Sequence, residues 1–101
     1  MSVVRSKNLP AMHPGFVFKS RILDRNGIKI SEAARKMKIN RPHLNNFTKG
    51  KVSVTAPLAM KLEVATGITS GFWMNLQKTY DLYKNRNLVI NCESLLDIEQ
   101  A

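Results

Sequence analysis

Cysteine occurs once, at Cys92, so no internal disulfide can form and a reducing, cytoplasmic setting is expected. Only two histidines are present, His13 and His43, and neither has further ligands at metal-site spacing; no metal or cofactor is expected. The five glycines stand singly, which excludes a Gly-rich phosphate loop. No paired carboxylates, Ser-His-Asp set or Cys-His set has supporting context, so the chain is not expected to be an enzyme. Apolar runs fall short of the ~20 residues needed to cross a bilayer, and no membrane partner is expected. The opening residues MSVVRSKNLPAM lack a long apolar core, so no export signal is expected. A length of 101 residues suits one domain with a modest core.

Acidic residues are also scarce, and unevenly so. Residues 1–61 hold thirteen Lys and Arg against two Asp and Glu, whereas residues 62–101 hold three against five. A segregated positive half is a footprint for a polyanion, because each cation that meets a phosphate releases counterions. Taken alone it is equally a solvated surface kept for solubility. Its coincidence with a second pattern decides in favour of nucleic acid.

That pattern is residues 30–51, ISEAARKMKINRPHLNNFTKGK. It predicts two short amphipathic helices joined by a tight turn, at about 30–38 and 41–49. Ala33, Ala34 and Met37 form an inward stripe on the first, and Ile39 packs under the turn. Asn40 is a good N-cap, Pro42 is tolerated in the first turn, and Gly50 offers a stop. Leu44 and Phe47 turn one face of the second helix inward, leaving Arg41, His43, Asn45, Asn46 and Lys49 outside. This layout is a helix-turn-helix presenting a recognition helix to the major groove of double-stranded DNA.

The remainder predicts an all-α domain of five helices. A basic arm, 1–12, precedes a first helix that opens at His13-Pro14-Gly15, buries Phe16, Phe18, Ile22 and Leu23, and ends at Asn26-Gly27. A fourth helix capped by Thr55 buries Leu58, Leu62 and Ala65 and stops at Gly67. A fifth, capped by Thr69 or Ser70, repeats Phe72, Trp73, Leu76, Tyr80 and Tyr83 at three- and four-residue steps. Core packing accounts for Phe72 and Leu76 as well as an interface does. Trp73, Leu76, Tyr80 and Tyr83 are the expected dimer interface, since aromatics are enriched at interface centres and such proteins read two half-sites as two-fold dimers. The domain thus covers 13–84, with a tail at 85–101. In the tail, Leu88-Val89-Ile90 reads as a short strand. Beyond it, Glu93, Asp97 and Glu99 make either a frayed end or a segment that docks on a basic partner.

Three stretches together resemble the HigA-type antitoxins, within the larger Xre/Cro-like, lambda-repressor-like family of helix-turn-helix regulators. They are His13-Pro14-Gly15, the helix-turn-helix with Arg41-Pro42 and residues 46–51, and FWMNLQ at 72–77 followed by Tyr80-Asp81-Leu82. The last lies outside the generic DNA-binding unit and is the most specific. The resemblance implies a homodimer that represses its own operon at an operator and neutralises a cognate RelE-like, mRNA-cleaving toxin. The other readings are a stand-alone repressor and a protein-interaction module that no longer binds DNA. Departures from the family pattern are Phe16, Ser20 and Arg21 where acids are usual, Lys38 where the turn usually has glycine, and Ile30 at the head of the motif's first helix.

Residue chemistry assigns the expected DNA contacts. Arg41 suits guanine O6/N7 or a flanking phosphate, and Asn45 and Asn46 suit adenine N6/N7. His43 either meets DNA or is merely exposed. Lys49, Lys51, Ser31 and the backbone near Asn40 suit phosphates.

Overall fold

Four of the five helices, all but the second, begin where a side chain accepts an otherwise orphaned backbone N–H. In the computed structural model, which describes residues 11–96, helix α1 is Pro14–Val17. The same rod then widens into π-type turns over Phe18–Asp24. Helices α2 (Ile30–Met37), α3 (Arg41–Thr48), α4 (Ala56–Thr66) and α5 (Ser70–Lys84) follow. His13 Nδ1 accepts from the Gly15 amide at 2.9 Å. Asn40, Thr55 and Thr69 cap α3, α4 and α5 through their side-chain oxygens. The described residues thus form an all-helical, five-helix fold with no strand.

Helix ends are settled by one device used three times. At Gly27, Lys38 and Gly50 the chain turns left-handed, and the next residue's amide returns to a carbonyl five residues back. For α2 the bond is Ile39 N–H to Ala34 O, 3.0 Å. Lys38, at φ 55° and ψ 47°, is the one non-glycine with positive φ among the described residues. Such a residue costs of order 1–3 kcal/mol. Replacing Lys38 by Gly should therefore raise stability by about 1 kcal/mol, read as a higher denaturation midpoint at unchanged m-value.

The core gathers Trp73, Phe18, Phe47, Leu23, Leu44 and Leu62, with Ala33, Ala34 and Ala59 letting helices approach closely. Several expectations are corrected here. Trp73 is 0% exposed and packs edge-on against Phe18 at 6.3 Å, so it belongs to the core and has no surface to offer a second copy. Its indole N–H has no hydrogen-bond acceptor among the described residues. Phe16 and Ala65, expected inside, are exposed, and so is Phe72. Leu88, Val89 and Ile90 form no strand and lie exposed. Residues 1–10 of the expected arm, and Asp97 and Glu99 of the acidic end, lie outside the described residues.

Candidate nucleic-acid interface

Helix α3 carries two faces set by its period. Leu44 and Phe47 are wholly buried and Thr48 nearly so. At about 100° per residue, Asn46 and Lys49 lie opposite that edge, with Asn45 and His43 on either flank. Arg41 stands exposed at the helix head, Lys51 just past its end, and Ser31 on the first turn of α2. Asn45 is half-buried; the other outward residues are exposed. Asn40 is partly committed, because its Oδ1 accepts from the His43 amide at 3.3 Å, leaving its side-chain NH2 available. The expected residues of α3 therefore face solvent around its outer arc, and each can donate hydrogen bonds or positive charge to an anion or to base edges.

Two further cations stand beside the head of α3: Lys38, read from sequence only as a departure in the turn, and Lys61, which sequence reading missed. A cleft of about 290 Å³ opens beside the head of α3, lined by Lys38, Asn40, His43, Thr55 and Lys61. Lys61 Nζ donates to the Lys38 carbonyl at 3.0 Å, so α4 braces the left-handed turn. Lys61 lies 23 residues from Lys38 in the chain, and only tertiary packing brings them together. No local pattern carries that signal.

His13-Pro14-Gly15, read as the opening of a helix, also supports the recognition helix from beneath. The buried His13 ring meets Tyr80 of α5 edge-on at 4.9 Å and Phe47 of α3 at 5.8 Å. Gln77, buried on α5, accepts from the Val54 amide at 2.8 Å and donates to Asp81, fixing the segment that follows α3. Tyr80, expected at a dimer seam, is therefore half-buried with one side against His13. Leu76 and Tyr83 are also half-buried, and with exposed Phe72 they line one stripe of α5 beside the Trp73–Gln77 edge.

Burial pushes the His13 imidazole below its ordinary pKa; the Val52 backbone carbonyl and the Asp81 carboxylate oppose this, and the Lys84 ammonium adds to it. The cap works in the same direction, since Nδ1 must be unprotonated to accept from Gly15. The unfolded chain then binds more protons than the folded one below the ordinary histidine value of about 6.5. This part of the stability is complete above that pH and is lost as pH falls through the lowered folded value. Thermal midpoints between pH 7.5 and 5 should fall accordingly, and His13→Asn, which keeps a capping oxygen, should flatten the profile.

Among the described residues no cluster of His, Cys, Asp and Glu could hold a metal ion, and no helix is long and apolar enough to cross a membrane.

No protein-family model matches the chain. Virulence-associated protein A' of Dichelobacter nodosus is 42% identical over 81% of this chain and 70% of its own length. Antitoxin HigA-1 of Vibrio cholerae is 38% identical over 72% of this chain and 69% of its own. Among solved structures, the Pseudomonas aeruginosa antitoxin HigA with the higBA promoter matches with a TM-score of 0.72 at 27% identity, over 84% of this chain and 98% of that one.

Proposed function

Because the chain belongs to the HigA-type antitoxins of the Xre-like helix-turn-helix family, we propose that it binds operator DNA as a homodimer and neutralises a cognate toxin by direct contact. The observation that carries the DNA reading is the exposed row on α3, with Arg41, Asn46 and Lys49 facing out above the buried Leu44 and Phe47. Asn45 and Asn46 read bases, Arg41 reads a base or a phosphate, and Lys49, Lys51, Ser31 and the α3 head grip the backbone. Leu76, Tyr80 and Tyr83 contribute to the dimer contact. The toxin is a RelE-like, mRNA-cleaving protein encoded beside this chain, and both act in the cytoplasm.

Co-expression with the adjacent gene product tests the antitoxin reading. The two should co-purify, and this chain should rescue growth of cells making the partner. Absence of both effects, with salt-sensitive operator binding retained, leaves a stand-alone repressor. One observation favours that second reading: the outer side of the first helix is not acidic but exposes Phe16, Ser20 and Arg21.

A further inference from the structure

An open apolar groove of about 650 Å³ lies between the π-type segment, α2 and α4, and only its edge at Lys38 and Lys61 is shared with the cleft beside the head of α3. Phe18, Ile22, Met37, Met60 and Val64 line it, and Lys36, Lys38 and Lys61 stand along it. Val64 is 88% exposed, a large apolar side chain left in water on an otherwise well-capped helix. The volume is that of a site able to take several side chains.

A second exposed apolar surface lies on the same chain. After α5, residues 88–96 form no helix or strand and present Leu88, Val89, Ile90, Leu95 and Leu96 to solvent, Leu95 at 99%. The charges of the two surfaces are opposite. Residues 87–101 contain Glu93, Asp97 and Glu99 and no Lys or Arg. Around the groove, Lys36 pairs with Glu32, while among the described residues neither Lys38 nor Lys61 meets a carboxylate.

We propose that the C-terminal arm of one copy lies in this groove on a second copy, seating Leu95 and Leu96 against Met60 and Val64 and bringing Glu93 toward Lys38 and Lys61. The proposal rests on the homodimer reading above and adds where part of the contact lies. A second copy is favoured over the arm's own groove by the shape of the chain. Its extents are 53 × 27 × 22 Å and its radius of gyration is 17.0 Å, against about 13 Å for a compact chain of this size. An arm that projects from its own body is built to reach another. The twelve residues that follow Lys84, ending at Leu96, can span up to roughly 40 Å, enough to cross between copies.

The test uses the full chain. In sedimentation equilibrium, Leu95→Ser/Leu96→Ser and Val64→Glu should each weaken dimerisation at least about tenfold, since each removes apolar burial from the contact. The three changes combined should add little to either. Circular dichroism and the thermal transition should hardly move, because all three residues are exposed in the protomer. A spin label on Cys92, an exposed thiol on the arm, gives the direct reading. Mixed with isotope-labelled Cys92→Ser chain, it should broaden backbone signals of residues 60–66 in that isotope-labelled copy, which carries no spin label. No broadening in that copy, with the same signals broadened in a second sample whose spin-labelled chain is itself isotope-labelled, would place the arm in its own groove and overturn the proposal. A dimer unaffected by either set of changes would overturn it too, while leaving the homodimer reading in place. A chain that is monomeric at every concentration would sink both.

Discussion

Gly15→Ala should cost this fold about 3 kcal/mol or more and lower its thermal midpoint by on the order of 10–20 °C. A methyl group at Gly15 would fall on the carbonyl oxygen of Phe47 and stand 2.6 Å from its carbon, with His13 Nδ1 at 3.1 Å. The obstacle is backbone, not the end of a flexible side chain, so it cannot swing aside. Relief requires α1 to lift away from α3. That movement would also strain the His13 cap and its contacts with Phe47 and Tyr80. Operator affinity should fall with stability, because Phe47 anchors the inner face of the recognition helix. Gly71→Ala is the matched control: nothing lies within 4 Å of the added carbon, and the site is helical. That change should be neutral or stabilising by about 0.5–1 kcal/mol. Equal losses from the two substitutions, read by denaturant midpoints, would show that α1 does not rest on α3 as described.

The contrast between these glycines indicates which parts of the molecule were legible beforehand. Helix starts and stops were, because caps are local: Asn40, Thr55 and Thr69 each bond within three residues of themselves. The outward face of α3 was legible for the same reason, since period and burial agree over eight residues. What failed depended on partners distant in sequence. Trp73 looked like interface because a large aromatic on a terminal helix reads alike whether its pocket belongs to the same chain or another. Gln77 was quoted only as part of the FWMNLQ stretch, with no role given, yet it is buried and accepts from the Val54 amide. Ala65 and Phe16 followed apolar spacing and still face solvent; their helices expose one apolar edge that the protomer does not cover. Lys38, noted where the turn usually has glycine, does take a left-handed φ, but its brace from Lys61 arises only when α4 folds over the turn.

On DNA, Asn46→Ala and Lys51→Ala should fail in different ways, and the difference tests the recognition surface directly. Asn46 stands at the centre of the exposed face of α3, opposite the buried Leu44–Phe47 edge. A bidentate amide contact with adenine is worth ~1–3 kcal/mol of discrimination. A homodimer carries the change in both half-sites, which lie far enough apart for the losses to add, so matched operator should lose roughly 2–6 kcal/mol. Sites already altered at the contacted base pair should lose little, and sequence preference should flatten. Lys51 lies beyond the helix end, where its amide closes the turn onto Asn46 O at 2.9 Å, and its charge suits a backbone phosphate rather than a base edge. Its removal should weaken matched and unmatched DNA alike and reduce the salt slope by about one ion per half-site. Titrations of both variants on matched and mismatched duplexes at several salt concentrations separate the two behaviours. Uniform loss from Asn46→Ala, with the salt slope of wild type retained, would mean that α3 does not read sequence through this face. Recognition would then have to come from groove shape or from the neighbouring Arg41.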